Sequence, residues 1–110
     1  MGAEYAREKF GDAVRALATA RGSIKERLVD AVNFIASINT ETDVPEDLAE
    51  AFNDFVQRVT SAGSQISDED KIKATVGEMT EDEAVETARE IVWLAHQFEL
   101  VSQLSEKHKG

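Results

Sequence analysis

The scarcity of helix-breaking residues constrains this chain more than any other feature. Only one proline and six glycines occur in 110 residues, so long stretches contain nothing that interrupts a helix. Apolar residues recur at three- and four-residue steps almost throughout, which is the period of an amphipathic helix and not the two-residue alternation of a strand. The sequence therefore predicts an all-α fold.

Capping patterns divide the chain into four or five helices. Three pairs mark helix starts: Ser23 with Glu26, Ser67 with Asp70, and Thr80 with Glu83. Such side chains bond the free backbone N–H groups at the beginning of a helix. Pro45 suits a first helical turn because its missing N–H would be unpaired there. We predict helices over residues 3–20, 24–38, 45–61, 68–78 and 81–106.

The predicted helices pack into one antiparallel bundle. The sequence contains no repeat and no linker long enough to divide it into two domains. Apolar residues make up 42% and charged residues 31%, which is a globular balance and not that of a disordered chain. The apolar stripes place these residues in the core: Phe10, Val14, Leu17, Leu28, Ile35, Phe52, Phe55, Val59, Ile91, Ala95 and Phe98.

Acidic residues are concentrated in the middle of the chain. The net charge is −10, from 22 Asp and Glu against 12 Lys and Arg. Residues 39–90 hold 15 acids and four bases, whereas residues 1–38 hold five acids and six bases. Ordinary duplex binding is excluded because phosphate contacts need clustered Lys and Arg. We expect no direct contact with nucleic acid.

Two interpretations of this acidic segment remain open. An acidic surface can mimic nucleic acid and occupy a basic groove of a partner protein through charge complementarity. The residues that would form it are Asp43, Glu46, Asp47, Glu50, Asp54, Asp68, Glu69 and Asp70. Alternatively, nine of the 15 acids fall at predicted helix starts, where the helix dipole stabilises a carboxylate by about 0.3–1 kcal/mol. Capping and solubility are the stronger explanation.

Residues suited to catalysis or metal binding are sparse. The absence of cysteine removes disulfides, thiolate metal sites and cysteine nucleophiles together. His96 and Glu99 share a helix face, but a metal site needs three or four ligands, and Trp93 stands where a Glu-x-x-His pair needs its Glu. The acidic run at Asp68 lacks the Gly and Glu that a calcium loop requires. We expect no enzyme, cofactor or metal site.

The last predicted helix is apolar on more than one side. Nine of the 14 residues from Ile91 to Leu104 are apolar, so the helix is either central in the bundle or shared with another chain. Its length, about 39 Å against about 25 Å for the first helix, favours an interface. We expect a protein–protein interaction module, self-associating as a homodimer through Trp93, Leu100, Val101 and Leu104.

Several short segments resemble a group of small uncharacterised bacterial proteins of about this size. The resemblance rests on Tyr5-Ala6-Arg7-Glu8-Lys9-Phe10, Ala16-Leu17-Ala18-Thr19 and Gly22-Ser23-Ile24-Lys25-Glu26-Arg27-Leu28, and more loosely on Pro45-Glu46-Asp47-Leu48 and Ala74-Thr75-Val76. It covers about half the chain, and the similar proteins tend to have glycine near the position of Ala20. The resemblance implies a bacterial, stand-alone helical protein and transfers no site residues.

No segment of the sequence has the pattern of a targeting or membrane signal. The first ten residues lack the apolar run of a secretory signal peptide. No stretch reaches the roughly 18 apolar residues that a membrane span needs. We therefore expect a cytoplasmic protein that makes no membrane contact.

Overall fold

Six helices account for almost all of the described chain. The computed structural model describes the backbone of residues 2–62 and 68–109, and the side chains of residues 2–62 and 70–101. The helices are α1 (Ala3–Thr19), α2 (Ile24–Ala36), α3 (Thr40–Asp43), α4 (Glu46–Val59), α5 (Asp68–Glu78) and α6 (Glu81–Lys109). No strand occurs in these described ranges, so the predicted all-α bundle with a long C-terminal helix is confirmed.

The turn between α1 and α2 is held by the predicted capping box. The Ser23 hydroxyl accepts from the Glu26 N–H at 3.2 Å, and the Glu26 carboxylate accepts from the Ser23 N–H at 3.2 Å. Gly22 adopts a φ of 106°, a conformation that glycine reaches without steric cost. Arg27 donates to the Leu17 carbonyl at 2.8 Å, which satisfies a free acceptor near the end of α1.

The segment between α2 and α4 contains a helix where none is predicted. It contains the single-turn helix α3, because the Asn39 side chain accepts from the Glu41 and Thr42 N–H groups at 2.9 and 3.4 Å. The Asp43 carboxylate accepts from the Asn39 N–H at 2.9 Å and closes this turn. Pro45 is predicted to lie in the first turn of the next helix, but it lies one position earlier, at the N-cap of α4. The described residues therefore form six helices, where four or five are predicted.

A cluster of three phenylalanines forms the centre of the core and joins α1, α4 and α6. The rings of Phe10 and Phe98 are stacked with centroids 4.8 Å apart. The Phe52 ring meets both edge-on, at 6.2 and 6.4 Å. All three side chains are at most 2% exposed. The cluster thus fixes which side of α6 faces the bundle.

Nine of the eleven predicted core residues are buried. Val14 and Ala95 are only partly buried and pack at the edge of the core. Val32 and Leu94 are almost fully buried although neither was in the predicted set. α1 packs most extensively against α2 and α6, so these three helices form the main body of the bundle.

α6 is the longest element and extends three residues beyond its predicted end. Its 29 residues correspond to about 43 Å of helix at 1.5 Å per residue. Despite this length, no helix in the part of the chain that the structure describes is both long and apolar enough to cross a membrane.

Candidate interaction surface

α6 presents one apolar face to the core of the bundle. Ala84, Ile91, Leu94 and Phe98 lie on this face and are at most 2% exposed. Their spacing of three, four and seven residues keeps them on one side of a helix with 3.6 residues per turn. This face is the one that packs against α1, α2 and α4.

A second apolar face lies on the opposite side of the same helix. Val85, Val92, Trp93 and Leu100 are 37%, 50%, 52% and 40% exposed. Val85 and Val92 are seven residues apart, as are Trp93 and Leu100, so each pair lies in one row along the helix. Four of the five large hydrophobic residues that the described chain exposes are therefore gathered on a single helix.

The outer face of α6 comprises these four residues together with Arg89 and His96, which lie between the two rows by helical geometry. Arg89 is exposed and pairs with Glu86 at 2.7 Å within the helix. His96 is also exposed. The outer face is thus an apolar strip with one cation and one imidazole on its midline.

A capping box fixes where α6 begins, and core packing fixes which of its faces points outward. The Thr80 hydroxyl accepts from the Glu83 N–H at 3.1 Å, and the Glu83 carboxylate accepts from the Thr80 N–H at 2.8 Å. This capping box fixes the first residue of the helix. The buried Phe98, almost five turns further on, packs into the core and so turns the opposite side of α6 outward.

The four predicted contact residues of α6 divide into three groups. Trp93 and Leu100 lie on the outer face and are exposed. Val101 lies on the core side, where it is partly buried against the hydrophobic core, so it does not belong to the outer face. Leu104 lies within α6, but its side chain is outside the described residues. Val85 and Val92 were not predicted contacts. Their seven-residue spacing, which places them in one row along the helix, could have identified them.

His96 and Glu99 do not form a site together. The Glu99 carboxylate lies 3.7 Å from the Arg7 guanidinium and ties α6 to α1. Among the described residues, no group of three or more His, Asp or Glu side chains could hold a metal ion. In the part of the chain that the structure describes, His96 thus belongs to no such group.

An ion pair between α4 and α6 lies beside the core face. Arg58 contacts the Glu90 carboxylate through both terminal nitrogens, one of them at 2.8 Å. The hydrogen bond to Glu90 is the main cause that raises the pKa of Arg58 above its ordinary value; the charges of Glu90 and Asp54 also raise it, whereas burial lowers it. The pair orients α4 against α6 and places no charge on the outer face.

The predicted acidic surface is only partly assembled. Glu46, Asp47, Glu50 and Asp54 are exposed on α4, and their three- and four-residue spacing places them on one side of that helix. Asp43 is half-buried, and its carboxylate accepts a hydrogen bond from the Asn39 N–H, so it stabilises α3. On α5, Asp70 is exposed, whereas the side chains of Asp68 and Glu69 are outside the described residues.

Two open clefts flank α2, and neither gathers groups of one chemical kind. The cleft between α2 and α5, of about 400 Å³, is lined by Arg21, Lys25 and Lys73 but also by Glu26 and Asp30. Lys25 donates to the carbonyl of Gly77 at 3.2 Å. Positive and negative side chains therefore line this cleft together, so it favours no ligand of one charge sign.

The second cleft, of about 520 Å³, lies between α1 and α2 and is lined by Ala16, Ala20, Asp30, Asn33 and Phe34. Phe34 is 39% exposed and lies 5.8 Å from the Lys9 ammonium group, measured to the ring centroid. This cleft offers one exposed large hydrophobic side chain, whereas the outer face of α6 offers four.

No protein-family model, curated protein or solved structure matches this chain. A functional conclusion therefore rests on the geometry of its own surfaces. Among the described residues, the outer face of α6 gathers four of the five exposed large hydrophobic side chains.

Proposed function

We propose that this chain is a non-enzymatic protein-interaction module that self-associates through the outer face of α6. The observation that carries the proposal is the exposure of Val85, Val92, Trp93 and Leu100 directly opposite the core face of the same helix. Exposed apolar residues that occur singly need no explanation, but four of them gathered on one helix face are typical of an interaction surface. Trp93 supports this because tryptophan is enriched among residues that dominate interface energies.

The size of the strip indicates a reversible dimer. The strip runs from Val85 to Leu100, which is about 24 Å at 1.5 Å per residue, and with a width of about 10 Å it covers roughly 240 Å² on each partner. Stable interfaces bury about 800 Å² on each partner, and smaller ones belong to weak or transient complexes. We therefore expect monomer and dimer to exchange at micromolar concentrations, with neighbouring polar residues forming the rim.

Static light scattering over a concentration series tests the proposal. The native chain is expected to approach twice its 12.1 kDa monomer mass at tens of micromolar. Leu100→Glu should hold the mass at that of the monomer, because a charge buried in a small apolar contact loses its hydration. Phe34→Glu is the matched control: Phe34 is 39% exposed and Leu100 40%, but Phe34 lies on α2.

Two results would contradict the proposal. A native chain that stays monomeric at tens of micromolar removes self-association. A dimer that survives Leu100→Glu but is lost on Phe34→Glu places the contact on α2 instead. Circular dichroism of each variant confirms that the helices are retained, so that a loss of dimer is not a loss of fold.

A second candidate function is that of an acidic inhibitor that occupies a basic groove of a partner protein. It is supported by the four exposed carboxylates of α4: Glu46, Asp47, Glu50 and Asp54. Against it, Glu46 and Asp47 lie in the first turn of α4, where the helix dipole already favours them. The inhibitor requires partner binding that weakens steeply with salt, since exposed charges are screened beyond about 10 Å at 0.1 M. Glu50→Gln with Asp54→Asn should then reduce binding, and unchanged binding rejects this function.

A further inference from the structure

The outer face of α6 is nearly symmetrical about its own midpoint. Val85 and Leu100 lie equally far along the chain from the junction of Val92 and Trp93, and so do Arg89 and His96. All six residues are exposed, and Trp93 is the most exposed of the large hydrophobics. A strip of this kind is self-complementary when a second copy runs in the opposite direction, related to the first by a two-fold axis perpendicular to the helix pair.

Parallel pairing in register would set identical charges against each other. In a symmetric parallel pair, every residue of the contact faces its own copy. Asp82, Arg89 and Glu99 lie on or beside the outer face by helical geometry and would each meet a like charge. Like charges at such distances are destabilising. The four acids between Glu81 and Glu86 would also be doubled at one end of the pair.

Antiparallel pairing removes these conflicts. Only residues beside the two-fold axis then face their own copies, and at the midpoint of the strip these are Val92 and Trp93. Arg89 faces His96 of the other copy, and the acidic start of α6 lies beside the second half of the helix. Residues 91–110 hold two acids and two bases and are neutral overall. Opposed helix dipoles add a favourable contribution.

We infer that two copies of this chain pair antiparallel through α6, about a two-fold axis that passes between Val92 and Trp93. The inference rests on the proposed function and specifies its partner as a second copy in a defined orientation and register. The two bundles then lie on opposite sides of the helix pair, because the core face of each α6 points away from the contact. Trp93 packs against its counterpart on one edge of the pair, and Val92 on the other.

Single-cysteine variants test the orientation, since the native chain contains no cysteine to interfere. Arg89→Cys and His96→Cys are prepared separately and then mixed, unfolded and refolded together before mild oxidation. Antiparallel pairing brings position 89 level with position 96 of the other copy. Equal positions are then about 10 Å apart along the axis, beyond the roughly 7 Å between Cα atoms that a disulfide spans. The mixture should form disulfide-linked dimers, and each variant alone should not.

Light scattering on the same samples separates failure of this inference from failure of the proposed function. If each variant alone forms disulfide-linked dimers, and the mixture forms no more of them than the separate variants do, the dimer is parallel. This result overturns the inference. A dimeric mass without any cross-linking overturns the register. A monomeric mass in all samples removes the proposed function, and the orientation with it.

Discussion

Truncation of Phe98 to alanine should cost a large part of the stability of this fold. Phe98 is 2% exposed, stacks on Phe10 at 4.8 Å and meets Phe52 edge-on at 6.4 Å. Removal of a buried Phe side chain costs about 3–5 kcal/mol, from lost burial and from the cavity that remains. Both of its ring contacts are lost, and they join α6 to α1 and α4, so we expect the upper half of this range.

Truncation to alanine on the other side of α6 provides the control. Val92 is 50% exposed, so Val92→Ala removes little buried surface and should cost less than about 1 kcal/mol. Both changes place alanine within one helix, so differences in helix propensity are small. The comparison therefore isolates which face of α6 is packed.

Urea unfolding followed by circular dichroism measures both variants. The concentration is chosen so that the native chain is monomeric by light scattering, since dimer formation would add to the apparent stability. Domains are stable by about 5–15 kcal/mol, so Phe98→Ala should shift the midpoint far towards zero urea. Equal losses for the two variants, or a larger loss for Val92→Ala, would refute the assignment of the two faces.

Three further predictions concern the helix ends and surfaces. Ser23→Ala should destabilise the fold by about 1 kcal/mol in thermal or urea unfolding, because it removes the cap of α2; an unchanged midpoint would contradict this. Glu90→Gln should cost less than about 1 kcal/mol, since its pair with Arg58 is partly exposed, and a loss above 3 kcal/mol would show that the pair is buried. Gly11→Ala should stabilise by about 0.5–1 kcal/mol because its added Cβ meets nothing within 4 Å, whereas Gly22→Ala, at a φ of 106°, should destabilise; the opposite order would refute both.

Helix positions were largely predictable because their signals are local. The capping boxes at Ser23 and Thr80 depend on side chains three residues apart, and both are formed. α3 was not predicted, because a helix of one turn is too short to show a repeating pattern of apolar residues. Its only signal is the pairing of Asn39 with the backbone that follows, and asparagine serves equally often in turns.

The two faces of α6 were less predictable for a physical reason. Apolar residues occur all around the helix between Ile91 and Leu104, so periodicity alone does not say which side packs inward. That choice is made by tertiary contacts, above all the stacking of Phe98 on Phe10. These contacts leave Trp93 and Val92 outside and bring Leu94 and Val101 towards the core.

The carboxylates of the acidic segment follow the predicted positions at helix starts only in part. The prediction that acids gather at helix starts holds for Glu83, whose carboxylate caps α6. Asp43 instead closes the single turn of α3 from its last position. Neither carboxylate is therefore free to form a continuous acidic surface with those of α4.

Fluorescence of Trp93 tests the central claim most directly, because it is the only tryptophan in the chain. In the monomer its side chain is about half exposed, so a soluble quencher such as acrylamide should reach it readily. If a second copy covers the outer face of α6, quenching must fall as protein concentration rises, with the same midpoint as the increase in mass. Quenching that stays constant while the mass doubles would place the contact elsewhere and contradict the account.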